Sequence, residues 1–206
     1  MFVITADQVA SRTSDDLVAV TLDGLNHGPL HLTMAAERTV GDELQLLVDD
    51  ASTALAVTLH LTRHGRWSVG CGVGGALTPL PASIREATGT AFIAARAAIE
   101  RAKKSPTRFA LEHAESEARA SDAEALIDLL LALRARRSME GWQVHDLLET
   151  GLTQADAAER LGISPQAVSD RARAADLRVE YAAREPLIKM LESLDSVVVD
   201  SKGARA

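Results

Sequence analysis

The chain has 206 residues, 47% of them apolar and 25% charged, enough for one large domain or two small ones around a real core. Its formal net charge of −7 excludes nucleic-acid binding through a broad basic surface, and its single cysteine, Cys71, excludes an intrachain disulfide framework or a multi-cysteine zinc site. No window is long and apolar enough to span a bilayer, and the opening MFVITADQV lacks the basic prefix of a signal peptide, so a soluble cytoplasmic protein without membrane contact is expected.

In chain order, residues 2–6 read as a short apolar strand ending at Asp7, and residues 14–25 as a helix after a Ser-Asp-Asp start. Residues 30–39 and 44–48 read as two strands joined through Val40-Gly41-Asp42-Glu43, a turn of hairpin length with a suitably placed glycine. An Ala/Leu/Thr helix follows over 51–62, then a glycine-interrupted strand over 66–75. One long helix is predicted over 83–104, whose Ala91, Ala94, Ala95 and Ala98 permit close packing, and a strand over 108–113. This order contains the βαββαβ element of ferredoxin-like folds, with helices on one face of a mainly antiparallel sheet. The predicted class is α+β: a ferredoxin-like N-terminal domain over 1–113 and an all-α C-terminal domain over 138–198. Between them, 114–137 is a connector, with a linker over 114–120 and a helix over 122–137; 199–206 is a loose tail.

The C-terminal domain is organised by residues 152–174, LTQADAAERLGISPQAVSDRARA, which read as a helix-turn-helix. Thr153 and Asp156 make a capping-box pattern for the first helix, Gly162 suits a left-handed terminus, and Ser164-Pro165 supplies an N-cap and a first-turn proline for the second. Leu161, Ile163, Val168 and Ala172 are spaced to bury one side. Gln166, Ser169, Asp170 and Arg173 recur on the other, as a helix presented to the major groove requires: Gln166 suits adenine, Arg173 guanine or phosphate. Thr153, Gln154, Ser164, Pro165 and Arg171 complete the candidate DNA contacts. A second cluster, Arg134, Arg136 and Arg137, lies near a helix end, where it answers either the helix dipole or, with Arg137 as the candidate contact, a phosphate. The segment resembles the helix-turn-helix of many bacterial regulators and of the promoter-reading region of sigma factors. The chain's acidity makes a dimer that doubles the contact, and a steep salt dependence, the expected way to bind double-stranded DNA.

In the first domain, Asp7 at the end of the first strand and Asp42 at the hairpin tip can meet at one sheet edge, a pair suited to Mg²⁺ and nucleotide phosphates. Gly70-x-Gly72-x-x-Gly75 fits a dinucleotide pattern without the helix that must follow, and reads as a strand approaching a ligand or another backbone closely. His60 and His64 share metal-ligand spacing on a helix, with no third ligand evident, and read as a solvated pair. The stretches ITAD, RTVGDEL, VGCGVGG and AFIAAR make this half similar to the SatD family of bacterial proteins. More distantly it resembles the palm domain of class III nucleotide cyclases and GGDEF diguanylate cyclases. The resemblance implies that Asp7 and Asp42 are metal aspartates and that Arg38 and Arg96 contact a purine nucleotide. Where those cyclases carry a ribose-orienting asparagine this chain has Phe92, which cannot donate the same hydrogen bonds, and Arg38 replaces a purine-reading lysine. A nucleotide-sensing domain is therefore expected rather than an active cyclase. The combined reading is a DNA-binding regulator with a sensing or dimerising N-terminal domain. Its rivals are a Mg²⁺-dependent nucleotidyl cyclase or related phosphoryl-transfer enzyme, and a helix-turn-helix that binds protein.

Overall fold

A computed structural model describes residues 1–11, 13 and 15–203, with 197–203 described by backbone alone. The protein is α+β, with five strands and eight α-helices among the described residues. In order these are β1 (Phe2–Gln8), α1 (Val18–His27), β2 (Met34–Arg38), β3 (Glu43–Val48), α2 (Ala51–Thr62), β4 (Trp67–Val73), α3 (Thr90–Ala102) and β5 (Phe109–His113). Then come α4 (Glu117–Ala135), α5 (Met139–Glu149), α6 (Gln154–Leu161), α7 (Pro165–Ala174) and α8 (Leu177–Gly203). The chain divides into two compact units, Met1–Asp128 with Leu187–Ala206, and Leu129–Pro186. No helix of the described residues is long and apolar enough to cross a membrane.

The first unit is built on a mixed sheet of order β2-β3-β1-β4-β5. β1 runs antiparallel to both β3 and β4, β2 runs antiparallel to β3, and β4 and β5 are parallel. Side chains alternate between faces along a strand, and β1 and β4 are buried at nearly every position, so both faces of the sheet are covered. This corrects the expectation of helices on one face. One face, with Val3 and Leu47, packs on Ala91 and Ala95 of α3. On β4 that face is glycine: a Cβ on Gly72 would stand 2.1 Å from Ala95 N, and one on Gly70 would stand 2.3 Å from Ile99 N. The Gly-x-Gly spacing thus serves close backbone approach by the alanine face of α3. On the other face, Gln8 accepts from Leu17 N at 2.8 Å and donates to Asp15 O at 2.7 Å, which sets the start of α1. α1 therefore begins at Val18; the predicted start at Ser14 lies outside the described residues.

Other boundaries also differ from the sequence reading, and the strand expected over 30–39 is confined to Met34–Arg38. The long helix over 83–104 is broken into a 3-10 turn, Ile84–Glu86, and α3. The break is at Gly89, whose φ of +147° is closed to other residues and whose added Cβ would lie 2.3 Å from Gly75 O. The linker over 114–120 is partly helix, since α4 begins at Glu117 among good helix formers. The final helix is also longer than the predicted 181–194: α8 runs through Pro186 to Gly203, where a loose tail was expected, and 204–206 lie outside the described residues. Within the first unit the Met1 ammonium is paired with Asp195 of α8.

In the second unit α5, α6 and α7 close on a small core of Val144, Ala157, Ala158, Val168, Ala172, Ala175 and Leu177. Its local punctuation is that of the sequence. Asp156 N donates to Thr153 Oγ1 at 3.2 Å, and Thr153 N donates to the Asp156 carboxylate at 3.0 Å. The Thr153 hydroxyl also donates to that carboxylate at 2.7 Å, and this bond with the one from Thr153 N holds the Asp156 carboxyl below its ordinary range. Gly162 ends α6 at φ +65°, ψ 33°, and Ser164 Oγ accepts from Ala167 N at 3.1 Å with Pro165 in the first turn of α7.

Candidate nucleic-acid interface

α7 is held from beneath and open above. Val168 and Ala172 are buried against α5 and α6, while Gln166 and Arg173 are exposed and Ser169, Asp170 and Arg171 are half-buried. On the open face Gln166 Nε2 donates to Asp170 Oδ1 at 3.1 Å, and Arg173 Nη2 donates to the same oxygen at 2.6 Å. These i,i+4 and i,i+3 pairs follow from helical spacing, and the Arg173 side chain is 77% exposed. Surface pairs of this kind contribute about 0–1 kcal/mol, so both donors exchange Asp170 for an incoming acceptor at little cost. Thr153, Gln154, Ser164 and Pro165 are exposed around the turn, with the Thr153 and Ser164 hydroxyls engaged as caps.

Arg137 does not join this face. Its side chain is fully buried: Nη2 donates to Glu180 Oε2 at 2.6 Å and Nε to Ala175 O at 3.1 Å. The expected phosphate contact is withdrawn on that ground, since no part of the guanidinium is offered to solvent. Sequence reasoning missed the group that captures it. Glu180 of α8, wholly buried, also pairs with Arg134 and, at 2.8 Å, with Arg184, which reaches on to Glu149. Trp142 lies under two of the guanidinium groups, its ring centroid 4.8 Å from Arg134 Cζ and 4.4 Å from Arg137 Cζ. His145 stands edge-on to Trp142, with Nε2 3.6 Å from Glu180. Burial alone raises a carboxyl pKa, but here the facing His145 and the three arginines outweigh it and hold Glu180 far below its ordinary range. Burial pushes the neighbouring Tyr181 hydroxyl up to about 12, with Glu149 adding to the rise. The cluster ties α4, α5 and α8 together behind the helices that carry the open face.

In the sheet-bearing unit Asp7 and Asp42 both lie where the end of β1 meets the β2–β3 hairpin. Asp7, opposite Glu43 in the β1–β3 ladder, is paired with Lys103 Nζ at 3.1 Å. Asp42 is half-buried in the hairpin, where its carbonyl accepts from Gln8 N at 3.2 Å. Arg38 donates to Asp16 Oδ2 at 2.6 Å and to Gly41 O at 2.9 Å, and its guanidinium holds the Asp16 carboxyl below the usual range. Arg96 is exposed on α3. Among the described residues no group of three or more His, Cys, Asp or Glu side chains is placed to hold a metal ion, His60 and His64 included. The expected Mg²⁺ site rests on Asp7 and Asp42 alone, with Lys103 already opposing the charge of Asp7.

No protein-family model, curated protein or solved structure matches the chain. What the molecule can do follows from its own geometry. The α6–α7 pair brings Gln166, Asp170 and Arg173 onto one open face.

Proposed function

We propose that the protein is a DNA-binding transcriptional regulator, whose residues 129–186 read double-stranded DNA with α7 in the major groove. The observation that carries this reading is the outward row Gln166, Asp170 and Arg173 on a helix whose opposite side is packed on α5 and α6. The capped turn between α6 and α7 supports it, because a rigid turn fixes the angle at which the second helix is offered. We read the first unit as a ferredoxin-like, cyclase-related domain of the SatD type that senses a purine nucleotide or mediates dimerisation. The strand order β2-β3-β1-β4 and the ITAD and RTVGDEL stretches support that reading. A regulator of this kind works in the cytoplasm as a homodimer.

The test is selection of DNA sites by the purified protein, followed by affinity measurements at two salt concentrations. A preferred site, bound less tightly as salt rises and lost in the R171A/R173A variant, is the expected result. Equal affinity for selected and random duplexes overturns the reading. Titrating purine nucleotides with Mg²⁺ against that affinity tests the sensor, and pyrophosphate release from a nucleoside triphosphate would make the first unit an enzyme instead.

A further inference from the structure

α4 buries one stripe, including Ala123, Ile127 and Leu130, and such a helix normally turns charge to solvent on the opposite side. Two of its acids, Glu124 and Asp128, are used elsewhere: Glu124 accepts from Arg101 and Asp128 accepts from Thr107, each at 2.6 Å. From Ala125 to Leu133 the outward face is apolar instead. Leu129 is 67% exposed and Leu126 is 45% exposed. Ala125 and Ala132 are also exposed, and Leu133 is half-buried. Exposed Asp122 stands at one end of this row, and exposed Arg136, in the turn that closes the helix, stands at the other.

The row is symmetric about Leu129. Leu126 and Ala132 lie three residues to either side, Ala125 and Leu133 four, and Asp122 and Arg136 seven. An antiparallel copy of the helix, related by a two-fold axis through Leu129, therefore sets Leu126 against Ala132 and Ala125 against Leu133. Large faces small at each step, and Asp122 meets Arg136 at both ends. A parallel copy would oppose Asp122 to Asp122 and Arg136 to Arg136, which is repulsive. Scattered leucines on a surface are ordinary; a line of them that is self-complementary in size and charge selects its partner. We infer that α4 is a homodimer interface, occupied by α4 of a second copy of this chain in antiparallel register centred on Leu129. The inference stands whether or not α7 binds DNA.

The experiment uses the full chain. Cys71 is the only cysteine and is buried, so an interchain disulfide in L129C comes from position 129. Helices packed about 8–10 Å apart bring the Cα atoms at the crossing within disulfide reach. Under mild oxidation L129C is expected to link to itself and A132C is not, whereas L126C mixed with A132C gives the hetero-linked dimer. L126C linking to itself as readily as L129C, or L129C remaining a free thiol, overturns the antiparallel register. Sedimentation of the unlinked proteins provides the second readout. L129R, D122R and R136D are each expected to weaken dimerisation about tenfold or more, and the D122R/R136D double variant to restore it. A wild-type chain that stays monomeric at every concentration, or a double variant no better than the single ones, removes the proposal.

Discussion

Where β4 meets α3, contact is made by what the side chains lack: Gly70 and Gly72 leave room for the backbone at Ala95 and Ile99 to come within a distance that any Cβ would fill. Where α4, α5 and α8 meet in the second unit, contact is made by charge, with buried Glu180 holding Arg134, Arg137 and Arg184. The first kind of joint depends on shape alone and is indifferent to protons. The second depends on one carboxylate remaining ionised, because the arginines around it have given up water for its sake. The two units should therefore answer differently to mutation and to acid.

The largest effect is expected from E180A, which leaves Arg134 and Arg137 buried without their counter-charge. Loss of one partner from a buried ionic cluster costs about 3–5 kcal/mol, read from urea denaturation followed by circular dichroism. Wild-type stability in this variant would deny the cluster any role. G72A should follow, at about 1–3 kcal/mol, because an overpacked strand must push α3 outward, and its deficit should be the same at neutral and acid pH. Acid should separate the two joints directly. Folding depresses the Glu180 pKa, so its stabilisation is complete above the ordinary carboxylate range and is lost as pH falls below it, with a slope of at most about 1.4 kcal/mol per pH unit. Thermal melts of wild type and E180Q across that range should converge as acid is added; parallel curves would contradict the assignment. The smallest change, about 1 kcal/mol, is expected for T153A, which removes one cap from α6 and leaves both joints intact.

The elements that sequence made legible are those specified by neighbours. Thr153 with Asp156, Gly162, and Ser164 with Pro165 act over three or four residues, and all three signals appear where the residue order puts them. The coarse α+β class was legible for the same reason, since strand and helix periodicities are local. Gly89 was a missed local signal: an Ala-Thr-Gly-Thr run inside a presumed helix marks the break that its positive φ requires. Glu180 was not legible, because Arg134 and Arg137 lie more than forty residues before it and nothing nearby in sequence announces the pairing. The same distance effect explains Arg137, whose position at a helix end suggested a phosphate contact until its long-range partner was visible. Arg38 was read from a resemblance to a nucleotide site; its immediate partners are Asp16, in the segment before α1, and Gly41 of the hairpin turn.

The solitary thiol offers a further use. Cys71 sits at 2% exposure in the central part of β4, and burial pushes its pKa up to about 12, so the intact sheet presents neither access nor thiolate to a reagent. Any labelling by a thiol-specific chromophore must wait for β4 to part from its neighbours. Its rate therefore times how often the sheet breathes open, in the native protein and without an engineered probe.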